Sequence, residues 1–302
     1  MIFGILTMGL LLIINIVGAF VIVLFAGITP QDLQGKDLSK PAVLSSVRAL
    51  LAVSTIGSFL VPSLVFAYLS DRSPLQYIGF KKPVPLFFLL IAVVVIIGAF
   101  PMVAWLGEIN QNMHLPKSMQ KTENLLREVE AKGNQFQHGL LIMKSRTDLI
   151  IMLVVLAVLP AVAEEIFFRG VLQRLFIQLT RRPWTGIITT AILFSAIHFQ
   201  FLGFIPRLVL GIVLGALYWF SGSIWPGILA HFINNGLQII LVYHTPQLMN
   251  KEPDFTVGLI ACSTILVVAL TWWMQKLSQT SYAEVYDTDD DFHIGPRDQY
   301  IA

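Results

Sequence analysis

Long apolar runs follow one another along this 302-residue chain, and they restrict its fold more than any other feature. A helix needs about 20 mostly apolar residues to cross a hydrocarbon core of about 30 Å, and several runs approach or exceed that length. Strands of a membrane barrel would instead alternate apolar and polar residues over about 10 positions. Charged residues make up only 13% of the sequence, against about 25% in soluble domains. The sequence therefore predicts an all-α, polytopic transmembrane helix bundle.

Charged residues, prolines and glycines divide the apolar runs into eight predicted spans. They lie at about Ile2–Ile28, Ala49–Leu69, Pro85–Trp105, Leu149–Phe168, Trp184–Phe199, Ile205–Phe220, Trp225–Tyr243 and Val257–Met274. The first is longer than a signal-peptide core and lacks a basic start, so we interpret it as a retained span. The distribution of Lys and Arg between the connections favours cytoplasmic termini.

We expect three regions: N-terminal spans with a polar loop (1–148), a membrane core (149–277) and an acidic disordered tail (278–302). The polar loop contains a helix-compatible segment, Lys117–Lys132, with two acid–base pairs at i, i+4 spacing, which predicts an amphipathic surface helix. The net charge of +2 and the scattered basic residues argue against a nucleic acid partner. The single cysteine, Cys262, excludes an intrachain disulfide and a CxxC metal site.

Three charged residues, Glu164, Glu165 and Arg169, come directly after the apolar run Leu149–Ala163. Ionisable residues inside a span are costly, about 2.5–3.5 kcal/mol each on insertion scales, and by default they indicate function. At helical spacing Glu165 and Arg169 share a face and should pair, whereas Glu164 lies about 140° from Arg169 without a local cation. Glu164 therefore suits proton transfer to and from water. The structural alternatives are a helix-fixing ion pair and, for Glu164, a buried protonated acid bonded to a helix carbonyl.

Two histidines occupy further apolar segments, and each has a same-face partner four residues away. His198 follows Phe194, and His231 precedes Asn235. An imidazole can bind a metal, hold a water or stabilise an oxyanion, and an Asn amide can polarise a carbonyl. Either histidine alone could equally be a packing residue, but their position downstream of the Glu pair favours function. A GxxxG pair, Gly211 and Gly215, predicts helix packing.

The ordered motifs Glu164-Glu165-x-x-x-Arg169, Phe194-x-x-x-His198 and His231-x-x-x-Asn235 resemble the CPBP family of intramembrane proteases. That family includes type II CAAX prenyl endopeptidases and bacterial Abi proteins linked to bacteriocin handling. The resemblance covers about Leu149–Tyr243. It implies a helical bundle with a conical cavity, in which Glu164 and His198 activate water while His231 and Asn235 stabilise the oxyanion. Glu165, Arg169 and Phe194 would support them.

The family is described both as metalloproteases and as metal-independent glutamate proteases. The resemblance therefore leaves two cofactor hypotheses, either no cofactor or Zn²⁺. If zinc is used, its ligands would be Glu164, His198 and His231, with an open position for water. The spacing of these residues does not itself require a metal.

We therefore expect a multi-pass endopeptidase, in a bacterial inner membrane, that cleaves membrane-associated or prenylated CAAX-type substrates. Its partners would be a peptide or lipidated protein and the lipid bilayer. Two alternatives remain open: a proton-coupled transporter, in which the carboxylates and histidines form a relay, and a non-catalytic peptide-binding or bacteriocin-immunity membrane protein. No residue in the sequence selects a particular substrate.

Overall fold

The computed structural model describes residues 38, 40–80, 84–249 and 254–281. Over these residues the chain is helical and contains no strand, which confirms the predicted all-α class for this part. The helices are α1 (Pro41–Ser70), α2 (Pro74–Tyr77), α3 (Leu86–Gly98), α4 (Phe100–Gln111), α5 (Gln120–Leu140), α6 (Arg146–Thr180), α7 (Pro183–Ala196), α8 (Phe204–Ser221), α9 (Trp225–His244) and α10 (Val257–Leu277). Wider π turns interrupt α1 at Ile56–Leu60 and α6 at Val154–Val158 and Ile166–Gln173.

Four helices in the described part of the chain, α1, α6, α8 and α10, are long and apolar enough to cross a membrane. The pair α3 and α4 would add a fifth if it counts as one broken span. These helices meet at an angle of 43°. Pro101 lies in the first turn of α4, where its missing N–H is tolerated, whereas a continuous helix would leave a carbonyl unbonded. The predicted span Pro85–Trp105 is therefore two helices and not one continuous helix.

The other predicted spans have different outcomes, and a total of eight is not confirmed. The first, Ile2–Ile28, lies outside the described residues. Those at Ala49–Leu69, Ile205–Phe220 and Val257–Met274 correspond to α1, α8 and α10, and Leu149–Phe168 is part of the 35-residue α6. The fifth forms α7, which has only 14 residues. The seventh forms α9, whose 20 residues include two histidines and two asparagines.

Helix α6 runs between two apolar clusters that hold the bundle together. Its residue Ile177 joins a large cluster with α3, α8 and α10, whereas Ala161, Ile166 and Val171 join a second cluster with α1 and Tyr218 of α8. Packing of these side chains against the neighbouring helices fixes the rotation of α6. Its central polar residues consequently face neighbouring helices.

The predicted GxxxG contact is present where α6, α7 and α8 meet. A Cβ atom added at Gly211 would lie 3.0 Å from Cβ of Ala191 on α7. The close approach also exposes two α8 carbonyls to α6: Arg169 Nη2 donates to Gly211 O at 3.1 Å, and Gln173 Nε2 donates to Gly215 O at 3.0 Å. Two side chains one turn apart on α6 thus bind two carbonyls one turn apart on α8.

The polar connection forms α5, which is longer than the predicted segment Lys117–Lys132. Both predicted pairs are present, because Arg127 Nε lies 2.8 Å from Glu123 Oε1 and Lys132 Nζ lies 2.8 Å from Glu128 Oε1. The predicted boundary between residues 148 and 149 falls inside α6, which begins at Arg146. Most of the predicted tail lies outside the described residues, which end at residue 281.

Candidate active site

Glu165 lies in a sealed polar cluster formed by α6, α8 and α9. Its Oε1 is 3.1 Å from Arg169 Nη1 and 3.0 Å from His231 Nδ1. The side chains of Glu165 and Arg169 are 0% and 1% exposed, respectively. The predicted ion pair between these two residues is therefore present. The bond to His231 was not predicted, because it joins residues 66 positions apart on different helices.

Arg169 is held by contacts with three elements. Besides Glu165, its guanidinium bonds the Gly211 carbonyl and lies over the Phe194 ring, 4.7 Å from the ring centroid. A buried ion pair stabilises a protein only when further contacts offset the loss of hydration, and a cation over an aromatic face is one such contact. Phe194 therefore contributes to this site by covering Arg169.

Gly227 allows the backbone of α9 to approach Glu165. A Cβ atom at this position would lie 2.8 Å from Glu165 Oε2, which is closer than a carbon and an oxygen can pack. Gly227 is four residues before His231, so it lies one turn away on the same face of α9. The glycine thus lets α9 bring the His231 ring onto the Glu165 carboxylate.

Glu164 occupies the opposite, less enclosed side of the same imidazole. Its Oε2 lies 3.9 Å from His231 Nε2, which is too long for a hydrogen bond. Its side chain is 12% exposed, and within the described part of the chain its carboxylate forms no hydrogen bond. The His231 ring consequently lies between two carboxylates, with Nδ1 bonded to Glu165 and Nε2 directed to the side of Glu164.

His198 lies just beyond the end of α7, in the segment 197–203 that we call the His198 loop. Its Nδ1–H donates to the Phe194 carbonyl at 2.7 Å, which leaves Nε2 free as an acceptor. The His198 ring also packs on Phe194, with ring centroids 5.3 Å apart, and Phe194 packs on His231 at 5.9 Å. Phe194 therefore contacts both histidine rings.

Asn235 connects α9 to α6 just before the Glu pair. Its Nδ2 donates to the Leu156 carbonyl at 3.2 Å, and its Oδ1 accepts a bond from Asn234 at 3.0 Å. Pro160 lies four residues after Leu156 and cannot supply the N–H that would bond this carbonyl in a regular α-helix. The Asn235 amide therefore satisfies a backbone carbonyl that Pro160 leaves without its usual partner.

The three residues considered as zinc ligands do not converge. Among the described residues, no group of three His, Cys, Asp or Glu is arranged to hold a metal ion. Zinc sites need ligand atoms about 2.0–2.3 Å from one ion, and these three side chains are not grouped closely enough for that. The arrangement of Glu164, His198 and His231 thus does not fit a zinc site.

Sequence reasoning missed several residues that shape this site. Gly227 could have been noticed from its i, i−4 relation to His231. Asn110 and Glu130, which bond the His198 loop, lie in segments with no chemical motif, and a single sequence gives no signal for them. Their contacts depend on how α4 and α5 pack, which periodicity does not determine.

Comparisons with known proteins place part of this chain beside a known family. Residues 146–237 match the family model described as "Type II CAAX prenyl endopeptidase Rce1-like". A stretch of 85 residues is 34% identical to the uncharacterised protein YpbD of Bacillus subtilis (strain 168). That alignment covers 27% of this chain and 40% of YpbD, so the chain spans well under half of this relative. No solved structure matches the chain.

The helices and the site define a class: a helical membrane protein whose glutamate and histidine side chains meet between helices. The family match covers α6 to the middle of α9, which includes all three motifs. The predicted resemblance to the CPBP family is thereby confirmed for residues 146–237, through their match to the Rce1-like endopeptidases.

Proposed function

We propose that this protein is an intramembrane endopeptidase that hydrolyses peptide bonds of membrane-associated substrates, with Glu164 as the general base. The observation that carries the proposal is the placement of one imidazole between two unlike carboxylates. Glu165 is sealed and bonded to His231, and Glu164 is partly exposed and unbonded within the described residues. Active sites that activate a nucleophile commonly contain a base and a neighbouring residue whose orientation is fixed by a third residue. Here these would be Glu164, His231 and Glu165, respectively.

The distance between Glu164 and His231 suits a shared water molecule. Two atoms 3.9 Å apart can each lie about 2.8 Å from one water, which then donates to both. Glu165 holds the Nδ1–H of His231, so that Nε2 is the acceptor on the Glu164 side. A water held in this way has its oxygen lone pairs directed away from both residues, toward a substrate carbonyl.

The reaction would then proceed in two proton transfers. Glu164 removes a proton from the water as its oxygen bonds the carbonyl carbon, and the C–N bond breaks as Glu164 returns the proton to the leaving amine. Asn235 uses one amide N–H on Leu156, and we assign its second N–H to the developing oxyanion. His198, with a free Nε2, would accept a bond from a substrate N–H on the side of the His198 loop.

The substrate class follows from the surroundings of the site and from the family. Helix α6, which carries both carboxylates, and α8, whose Gly211 carbonyl binds Arg169, are apolar enough to lie in a membrane. A peptide that reaches Glu164 must therefore enter a membrane environment, and a prenyl group would anchor it there by burial of its hydrocarbon. We propose lipidated or membrane-inserted peptides, including prenylated CAAX-type proteins, as substrates.

The proposal is tested with purified protein in liposomes and a set of membrane-anchored peptides with and without a prenyl group. Mass spectrometry should detect cleavage by the wild type and none by Glu164→Gln, while both proteins unfold at similar temperatures. Comparison of membrane peptides from cells that carry either form would identify natural substrates. Undiminished cleavage by a folded Glu164→Gln protein would contradict the proposal.

The same geometry favours a second candidate function, a proton-coupled transporter. Glu165, His231 and Glu164 form a chain with separations of 3.0 Å and 3.9 Å, and such chains of acids and histidines relay protons in transporters. This function predicts proton flux through liposomes and no cleavage of any peptide. A protein that binds peptides but neither cleaves them nor carries protons would instead be a non-catalytic binding protein.

A further inference from the structure

We propose that Glu130 and Asn110 are positioning residues that set the orientation of His198 through the backbone of the His198 loop. Both lie outside residues 146–237, the part that matches the family. This inference rests on the proposed function, because it concerns how His198 is presented to a substrate. It assigns to α4 and α5, which carry no catalytic motif, a part in completing the site.

Glu130 binds the middle of the loop. Its Oε2 accepts the Leu202 N–H at 2.9 Å, and the residue is only 6% exposed although it belongs to the polar helix α5. A carboxylate bonded to a backbone N–H forms a charge-assisted bond that is stronger than a bond between neutral groups. Because the Glu130 side chain is buried, its bond to Leu202 holds the loop at a defined distance from α5.

Asn110 binds the last part of the loop and the start of α8. Its Nδ2 donates to the Phe201 carbonyl at 3.0 Å, and its Oδ1 accepts the Ile205 N–H at 2.7 Å. The residue is 2% exposed. One amide therefore satisfies a donor and an acceptor four residues apart, which fixes the path of the chain between them.

The loop needs such support because its backbone is strained beside the histidine. Phe199, which follows His198, has φ of 52°, a left-handed conformation that bulky residues seldom adopt. Its side chain is 85% exposed, so packing within the described protein does not offset the strain. Strained residues persist where surrounding contacts determine the conformation, and they concentrate at functional sites.

The direction of the His198 ring depends on this backbone. On the side of α7, Nδ1 is fixed by the Phe194 carbonyl. On the loop side, the backbone is fixed by Asn110 and Glu130, and Arg207 Nη2 donates to Gln200 Oε1 at 2.5 Å. Displacement of a reacting or binding group by about 1 Å can reduce a rate on the order of 100-fold. Contacts with Phe201 and Leu202 can therefore influence catalysis without touching a substrate.

The test compares two substitutions at position 130, one double variant and a control. Glu130→Gln keeps an acceptor oxygen, so it should retain kcat within about threefold, whereas Glu130→Ala should lower kcat at least about tenfold. Glu128→Ala is the matched control, since Glu128 lies on the same helix, is 63% exposed and pairs with Lys132. Glu128→Ala should change neither kcat nor KM. Phe199→Gly in the Glu130→Ala background should recover part of the lost activity, because glycine adopts positive φ without strain.

Hydrogen exchange gives a readout that does not depend on activity. The amides of Leu202 and Ile205 should exchange faster in Glu130→Ala than in the wild type, with smaller change in Glu130→Gln. Wild-type kcat in Glu130→Ala, or reduced kcat with unchanged exchange in the loop, would overturn the inference. If the wild type cleaves no peptide, the proposed function fails, and unchanged exchange in Glu130→Ala would then also remove the structural basis of the inference.

Discussion

Glu164 and Glu165 are neighbours of the same residue type, yet the bundle gives them opposite surroundings. Glu165 is 0% exposed and lies between Arg169 and His231, at 3.1 Å and 3.0 Å. Glu164 is 12% exposed and faces the same histidine across 3.9 Å without a hydrogen bond. The difference teaches that two adjacent acids in one helix can have different surroundings, and under the proposed function one serves assembly and the other serves chemistry. One holds the helices and the histidine, and the other is left available to a water molecule.

The division depends on the contacts that bury Glu165. The carboxylate has three neighbours: the Arg169 guanidinium, Nδ1 of His231 and the backbone at Gly227, which has no side chain. In a membrane, such a group is stable only when partners replace its water. Variants that remove these partners should therefore affect folding, whereas variants of Glu164 should affect turnover.

The largest expected effect is the loss of Arg169. Arg169→Met leaves Glu165 as a buried charge without its cation and removes the donor to the Gly211 carbonyl. We expect destabilisation of about 3–5 kcal/mol, measured by unfolding in detergent. Lys132→Ala is the control, because its exposed pair with Glu128 should contribute little to stability. Wild-type stability of Arg169→Met would show that Glu165 is not held as described.

A smaller effect is expected at Gly227. In Gly227→Ala the new methyl group would lie 2.8 Å from Glu165 Oε2, so α9 must shift or the carboxylate must turn. We expect a stability loss of about 1–3 kcal/mol together with reduced cleavage, because His231 moves with α9. Gly133→Ala, where nothing lies within 4 Å of the added carbon, should leave both unchanged or slightly improved. Equal behaviour of the two alanine variants would contradict the proposed close approach.

The loss of the Asn235 amide should have a smaller effect on stability. Asn235→Leu removes the donor to Leu156, a carbonyl that Pro160 cannot help to satisfy. We expect thermal unfolding to show a stability loss of about 1–2 kcal/mol. If the second N–H binds the oxyanion, kcat should also fall by more than the loss of folded protein explains. Equal cleavage per folded molecule would remove Asn235 from the chemical step.

The smallest effect concerns the N-terminal end of α5, far from the Glu pair in sequence. Hydrogen bonds from His114 and Arg127 lower the pKa of Glu123 from 4.5 to about 2. Since the folded-state pKa is depressed, this stabilisation is present above pH 4.5 and is lost as pH falls toward 2. Hydrogen exchange in α5 should therefore be constant above about pH 5 once corrected for intrinsic rates. Glu123→Gln should show faster exchange over this whole pH range. If exchange in the wild type instead accelerated near pH 4.5, the contacts of Glu123 with His114 and Arg127 would be contradicted.

Contacts within one helix were predictable from the sequence, whereas contacts between helices were not. The spacing of Glu165 and Arg169, and of Glu123 and Arg127, gave the correct pairs because helical geometry places such residues on one face. The bond from His231 to Glu165 depends on the register of α9 against α6, which a single sequence does not contain. The segment Pro85–Trp105 was predicted as one span because the apolar run continues across the bend between α3 and α4.

The most direct test of the central claim is the cleavage rate per folded molecule of Glu164→Gln beside Glu165→Gln. We expect Glu164→Gln to unfold like the wild type while its cleavage falls about 10²–10⁴-fold, the range of general base catalysis. Glu165→Gln should instead lose stability, because it weakens the bonds to Arg169 and His231. A stable Glu164→Gln protein that cleaves at the wild-type rate would contradict the division of roles between these two carboxylates.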